Sequence, residues 1–504
     1  MYSVDVATSA DVARRHSSVA AAEAKCQQLS AELRELDRKR TDVQQRFEAL
    51  QGEIEGHKIA LAAHIHSRIL AEIFSEIFQY CCGTDELKVF NREGPQQLQW
   101  ILSAVCQRWR AMAHSTPQLW SSLHFDVTYA IRHHIHDMAG IAKQILKRSG
   151  QVPLTITLGM AAHRHHFLCA LLKESIRWKS FRLSLWPHKS NSKTVAMLND
   201  ECGNFPILEA IDIPCSFPAP LNAFKMCPKL HTLILSGTCS TRDVSLPWAQ
   251  ITSFTGLLSH PNDAFKLFES MPAVQHTDMR VISYMPMTYT PPKDAIFSDT
   301  RSLYLSGPCH FVQSAVLPAL AELSISMAGY GCVGERYTSL FSRVVGSLTT
   351  LELSSVSMAP ETMTSILQHL TRLERLEIFQ HSVDSSIYEA MIATGSCILP
   401  NLRILYLGFA IAMTSTLLTM LETRVRAIKA GDRSKDRGTP LLESVFIGYL
   451  NLNVTDDLHD RMLALQGNGM HVEFRSSDDP TRYDSLLNRL STRRKKSELY
   501  RRWR

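Results

Sequence analysis

Leu373-Glu374-Arg375-Leu376-Glu377-Ile378 and Leu402-Arg403-Ile404-Leu405-Tyr406-Leu407 share one pattern, apolar-x-x-apolar-x-apolar. The last three residues of each alternate as a short strand does, with two apolar side chains on one face. The pattern recurs at Leu208/Ile211/Ile213, Leu230/Leu233/Leu235, Leu320/Leu323/Ile325, Leu348/Leu351/Leu353 and Leu442/Val445/Ile447. Weaker copies stand at Ile251/Phe254 and Leu303/Leu305, and several copies follow a proline, as in Phe205-Pro206, Cys227-Pro228, Leu317-Pro318 and Leu399-Pro400.

Repeat starts fall mostly about 20 to 30 residues apart, the period of leucine-rich repeats. A unit of one short strand and a return segment cannot bury its own apolar edge, so neighbouring units must stack to do so. The copies are irregular and lack the asparagine that ladders the turns in regular repeats. The expected fold class is therefore α/β, with a solenoid of degenerate leucine-rich repeats over residues 126–475. Met138 to Gly150 reads as a helix with basic residues and glycine at its end. Val152 to Leu158 and Phe181 to Leu185 alternate as strands, and Leu417 to Lys429 reads as a helix before the polar run Gly431 to Gly438.

Upstream, the period changes. Ala22, Cys26, Leu29, Leu33, Leu36, Arg40, Val43, Phe47, Leu50 and Ile54 alternate by four and three, with Gln, Glu, Arg, Lys and Asp between them. That is a coiled-coil heptad seam over 21–57, broken by Cys26 and Arg40. A long solvated helix, or one folded back on the protein, is the other reading. Residues 1–20 carry little pattern and are expected to be without order.

Between seam and repeats lie two amphipathic helices. At about 100° per residue, Ile69, Leu70, Ile73, Phe74, Ile77 and Phe78 cover roughly half of the first. Leu102, Val105, Cys106, Trp109, Met112 and Ala113 form one narrower face of the second. The residues from Tyr80 to Pro95 read as a surface loop without chemistry. Ser115-Thr116-Pro117 and Leu119-Trp120-Ser121-Ser122-Leu123 follow.

The run Ile69-Leu70-Ala71-Glu72-Ile73-Phe74, then Val105-Cys106-Gln107-Arg108-Trp109-Arg110 and Leu119-Trp120, resembles an F-box over residues 62–125. More narrowly it is similar to the F-box proteins abundant in mushroom-forming fungi, departing from their Leu-Pro start with Ile65-His66 and Arg68. The resemblance implies a small all-α module whose apolar helices dock onto a Skp-family adaptor bound to a cullin. The residues it names are Ile69, Leu70, Ile73, Phe74 and Ile77 from the first helix. Val105, Cys106, Trp109 and Met112 come from the second, partly as internal core. It further implies a non-catalytic receptor subunit of a ubiquitin ligase, with the repeats holding a protein target. A repeat scaffold unconnected with ubiquitin, dimerised through the coiled coil, is the competing reading.

Composition is ordinary for a globular protein: 504 residues, 45% hydrophobic and 20% charged. There is no run of eighteen apolar residues, and Met1-Tyr2-Ser3-Val4-Asp5 is not the start of a secretory signal, so no membrane role and a cytoplasmic or nuclear location are expected. The 12 cysteines, single except for Cys81-Cys82, read as buried thiols. The net charge of +6 is concentrated in Arg493-Arg494-Lys495-Lys496 and Arg501-Arg502-Trp503-Arg504, a basic tail over 476–504. That tail reads as an import signal or a solvated terminus, and no motif for sequence-specific nucleic-acid reading accompanies it.

Phosphate-loop, nucleophile-elbow and His-Glu-x-x-His motifs are absent. His133-His134 with His136, and His163 with His165-His166, could share a metal, but exposed histidines are the simpler reading. Asp456-Asp457 and Asp478-Asp479 diverge too much for shared acid–base work. No cofactor or metal is expected.

Overall fold

The computed structural model describes residues 9–83, 85–91, 97–160, 165–185, 191–200, 204–214, 220–239, 244–258, 261–281, 295–297, 299–307, 314–326, 334–356, 358–379, 383–392, 398–410, 415–429, 442–449, 461, 464–467 and 470–476. Residues 1–8, His163, the polar run 431–438, both aspartate pairs and the basic tail from residue 477 lie outside them, while Ser476 ends the last strand. The chain divides into two compact units, Met1–Cys81 and Cys82–Arg504.

The first unit is helical: α1 (Ser9–Arg68) and α2 (Ala71–Cys82). The helix begins at Ser9, so residues 9–20, expected to lack order, belong to it. It also runs without interruption through 58–68, across the boundary drawn between coiled coil and F-box. Ala60, Leu61, Ala62 and Ala63 are strong helix formers with no proline among them, which is why it continues. The seam lengthens with the helix. Val12, Val19 and Leu61 fall on the same four–three spacing and are exposed, as are Leu29, Leu33, Leu36, Val43, Phe47, Leu50 and Ile54.

The second unit begins where a loop was expected. Leu87-Lys88-Val89 forms strand β1 (Leu87–Val89), with Leu87, Val89 and Phe90 buried. Three alternating residues are too few for period two to stand out in a sequence; pairing to a neighbour makes the strand. Next come α3 (Leu98–Val105), α4 (Gln107–Ser115), β2 (Ser122–Asp126), α5 (Val127–Arg132), α6 (Met138–Arg148), β3 (Leu154–Met160), α7 (His165–Leu172), β4 (Trp178–Leu185) and α8 (Asn191–Asp200). The chain continues through β5 (Ala210–Pro214), β6 (Thr232–Cys239), β7 (Ser253–Leu258), α9 (Pro261–Ser270), β8 (His276–Val281), β9 (Ala295–Ile296), β10 (Ser302–Ser306), β11 (Ala315–Val316) and β12 (Glu322–Ser326). Last are α10 (Gly334–Val344), β13 (Thr350–Ser354), α11 (Pro360–His369), β14 (Arg375–Phe379), α12 (Ser385–Met391), β15 (Ile404–Ala410), α13 (Ser415–Lys429), β16 (Ser444–Tyr449) and β17 (His471–Ser476).

Fifteen of these strands form one sheet in strict chain order, β1 to β17, with β9 and β11 paired separately. Every pairing in the sheet is parallel. Parallel neighbours in unbroken order, joined by crossovers of one hand, put every connection on the same side. Among the described residues, the helices therefore cover one face of the sheet, and the other carries none.

The expected apolar triplets are the residues that face the helices. Leu351 and Leu353, Leu376 and Ile378, Leu405 and Leu407 are all buried, and so are the leucines that precede them, Leu348, Leu373 and Leu402. Each such side chain contributes about 1.5–3 kcal/mol through removal from water. Backbone carbonyls hold the strand entrances. Thr349 O accepts from Glu374 N and Arg375 N at 2.8 and 3.0 Å, Glu374 O from Arg403 N and Ile404 N, and Arg403 O from Glu443 N and Ser444 N. The same two-donor acceptor recurs at Glu209, His231, Thr252, Gln275, Arg301 and Ala321. Because any residue supplies a carbonyl, this ladder needs no side-chain consensus.

On the open face near the first strands, Thr157 Oγ1 donates to Glu86 Oε1 at 2.9 Å, and His124 Nδ1 lies 3.5 Å from Oε2. Arg182 Nε donates to Asp212 Oδ2 at 3.0 Å, and Ser236 Oγ to Oδ1 at 3.0 Å. Burial pushes the Glu86 carboxyl up, but hydrogen bonds from His124 and Thr157 and the Arg182 charge outweigh it and leave its pKa below the usual 4.5. A carboxylate whose pKa falls on folding stabilises the fold above its unfolded value, and that contribution disappears as pH drops through the folded one. Glu86→Gln should therefore cost about 0.5–1.5 kcal/mol at pH 7. The gap to the parent chain should close as pH falls below the ordinary carboxylate value and through the lowered folded one, in denaturant titrations followed by circular dichroism.

Candidate partner-docking surfaces

α2 is apolar on two sides. Phe74 and Phe78, one turn apart with rings 5.9 Å from each other, are buried. Leu70, Ile73, Ile77 and Tyr80 repeat at three- and four-residue spacing on the other side and stay in solvent, Leu70 at 66% and Tyr80 at 89% exposure. The helix starts after a bend at Ile69–Leu70, where the Leu70 carbonyl takes the first bond, from Phe74 N at 3.2 Å. Ile69 is half-buried at that bend. The wide apolar arc thus divides into a buried aromatic half and an open aliphatic half.

The stretch from Leu102 to Ala113 is not one helix face. The chain leaves helical geometry at Cys106 (φ −157°, ψ 172°), which ends α3 and begins α4. Its thiol accepts from Trp109 N at 3.4 Å, acting as the N-cap. A weak sulfur acceptor at a cap is rare beside Ser, Thr, Asp or Asn, so cap reasoning does not flag it. The consequence is a division of labour among the expected site residues. Val105 and Cys106 are exposed, Trp109 is half-buried, and Met112 is buried with Ala113 inside the second unit. Leu98 and Ile101, exposed on α3, complete a three–four stripe with Val105 that was not singled out above. The spacing Leu98-x-x-Ile101-x-x-x-Val105 is the sequence signal for this stripe.

These helices are held to the sheet by aromatic and amide contacts. Trp120 is fully buried, donates from Nε1 to the Ala113 carbonyl at 2.7 Å and meets Trp100 edge-on with centroids 5.1 Å apart. The Arg148 guanidinium stands 4.7 Å from the Trp120 ring centre and 5.3 Å from that of Trp100. His114 beside them is held below its usual pKa by burial and by the charges of Arg148 and Arg110. Gln97, just before α3, pairs its amide with both backbone groups of Lys88, at 2.9 and 3.1 Å. It thereby closes the outer edge of β1, a device that suppresses edge-to-edge association.

Among the described residues, no three His, Cys, Asp or Glu side chains are grouped to hold a metal, and no helix is long and apolar enough to cross a membrane. His133, His134, His136 and His166 are exposed. No protein-family model matches the chain, and no curated protein is significantly similar to it.

Trp120 ties α4, α6 and the sheet together through one ring. Trp120→Phe keeps most of the apolar area but removes the 2.7 Å bond to the Ala113 carbonyl, leaving it the longer 3.4 Å one from Thr116 N. It should cost about 1–3 kcal/mol, seen as a lower denaturation midpoint with an unchanged far-ultraviolet spectrum before the transition.

Proposed function

We propose that this chain is the substrate-recruiting F-box subunit of a Skp–cullin–F-box ubiquitin ligase, with its second unit, read as degenerate leucine-rich repeats, holding a protein target. The observation that carries the reading is the open aliphatic stripe of α2, Leu70, Ile73, Ile77 and Tyr80, backed by buried Phe74 and Phe78. A short helix that leaves four large apolar side chains in water is under strong pressure to bury them against a partner. The α3 stripe is a second element of the same kind. The chain would contribute by proximity alone, raising the local concentration of target beside a charged conjugating enzyme. No residue of it is assigned bond chemistry, and no cofactor is invoked. The cytoplasm or nucleus is the matching location.

The test is co-purification of the full chain with a Skp-family adaptor. Leu70 and Ile73 are exposed, so Leu70→Asp with Ile73→Asp should leave the fold intact and abolish the complex. Phe74→Asp is unsuitable as a control because Phe74 is buried and the variant would lose structure. Failure of the folded parent chain to bind any Skp-family adaptor would transfer the reading to a repeat scaffold unconnected with ubiquitin.

A specific observation also supports self-association. The α1 seam holds one stripe from Val12 to Leu61, about seven heptads, and its apolar members are exposed throughout. A seven-residue repeat kept over that length suits a second supercoiling helix rather than a groove of other periodicity. A second copy of the chain supplies the identical stripe. Sedimentation should give a dimer that Leu36→Asp with Phe47→Asp dissociates. Cys26 lies on the seam and is exposed, so a parallel, in-register pair should form a disulfide on oxidation that Cys26→Ser removes.

A further inference from the structure

The seam of α1 carries polar residues whose positions fix the direction of the helix that covers it. Cys26, Leu33, Arg40, Phe47 and Ile54 take the first seam position of successive heptads, and Leu29, Leu36, Val43 and Leu50 the second. The same count puts Arg15 and His57, both exposed, at second positions near the two ends.

In a parallel, in-register pair each seam residue meets its own copy. Arg15 and Arg40 would then each stand against an identical cation inside the seam, and His57 against a second imidazole. Such unpaired burial is costly. The flanking charges give no help in that arrangement. Glu32 would face the partner's Asp37, which cancels the attraction between Glu53 and the partner's Lys58.

In an antiparallel pair the first position of one helix faces the second of the other. Centred at Arg38, that register sets Arg40 against the partner's Leu36, Arg15 against the partner's Leu61 and His57 against the partner's Val19. Each polar seam residue thus faces an aliphatic one. Arg40 can lay its methylene stem on Leu36 and bring its guanidinium to the partner's Asp37. Within its own helix Arg40 already lies 3.8 Å from Asp37, so two arginines and two aspartates alternate about the axis.

The flanking charges agree with this register. Lys25 faces the partner's Glu53 and Glu32 faces the partner's Arg46, each pair occurring twice by symmetry. Arg46 also meets Asp42 at 2.8 Å and Glu32 accepts from Gln28 at 3.2 Å, but guanidinium and carboxylate have sites for both neighbours. Lys39 faces its own copy, and Glu35, 2.7 Å from it in each helix, offsets that contact. Sliding the pair by one heptad sets Arg46 against the partner's Lys25 in one direction and Glu32 against the partner's Glu53 in the other. Length supplies an independent check. The helix runs Ser9–Arg68, so its midpoint also falls at residues 38 and 39, and the register favoured by charge is the one that overlaps all of α1.

We propose that α1 pairs antiparallel with α1 of a second copy, in the register centred at Arg38. The inference rests on the reading of the seam as a self-association surface, and it names the direction and register of the partner. The two Arg68 residues then stand roughly 90 Å apart, at 1.5 Å per residue over 60 residues. The α2 helices that follow them leave from opposite ends of the pair, so each copy can take its own partner.

The test uses the full chain with Leu50→Cys, oxidised mildly, with bridged peptides mapped by mass spectrometry. Cys26 faces the partner's position 50, so a bridge between Cys26 and the new thiol should form, and adding Cys26→Ser should abolish it. The parent chain should give no bridge from Cys26 to its own copy. In sedimentation, Lys25→Glu should raise the dissociation constant several-fold, and Glu53→Lys in the same chain should restore it by re-forming both pairs. A parallel pair gives other results: the parent bridges through Cys26, and the Leu50→Cys bridge survives Cys26→Ser. Either of these, or a dimer that forms no bridge between positions 26 and 50, would overturn the proposal while leaving self-association standing. A monomeric parent chain would sink both.

Discussion

The second unit depends on one backbone device, the carbonyl at nine strand entrances that accepts two successive N–H groups from the next repeat. Glu209, His231, Thr252, Gln275, Arg301, Ala321, Thr349, Glu374 and Arg403 all serve in this way. Two donors on one acceptor fix both the position and the phase of the following strand, so a slip of one residue is blocked at its first bond. A slip would turn every leucine of that strand away from the helices. The apolar triplets supply the driving force, and the carbonyl ladder supplies the register.

Register then decides what the open face looks like. Since neighbouring strands align residue for residue, the side chain between the two buried apolar positions always meets its counterpart on the next strand. Fifteen parallel strands in chain order thus turn scattered single residues into continuous rows. Over the first strands, His124, Thr157, Arg182 and Asp212 of the row are tied together, with Glu86 beside them, by hydrogen bonds and ion pairs. Over the later strands it becomes acidic and aromatic. The difference lies in residues that cost the fold little, because the open side is not where the core forms.

The stretch that resembles an F-box is interleaved with this sheet rather than set apart from it. β1 follows α2 in the chain and precedes α3, and β2 follows directly on Trp120 and Ser121. Gln97 closes the edge of β1, while Trp120 and Arg148 hold the α3–α4 helices to the same unit. Val105 and Cys106 are exposed because the chain turns out of helical geometry at Cys106. These contacts fix the α3 stripe with respect to the sheet.

Period was legible in the sequence wherever it repeated. The strands β3 to β7, β10 and β12 to β16, the long α1 heptad seam, α6 with its Lys147-Arg148-Ser149-Gly150 end and α13 follow from apolar spacing and end signals, because burial of one face is a local demand on composition, whereas β8, β9, β11 and β17 were not expected. Other features were not legible either. β1 has too few residues to show a period, the break at Cys106 depends on an uncommon thiol cap, and the extent of α1 depends on helix formers beyond the readable seam. The division of α2 into buried phenylalanines and exposed aliphatics was equally hidden, since both halves are apolar and composition cannot distinguish core from docking surface. The sequence by itself determined which residues would be strands, helices and core, for those choices rest on periodic hydrophobicity. Only the tertiary structure decided which side chains stand next to one another across strands far apart in the chain, for that is set by backbone hydrogen bonds that every residue type can make.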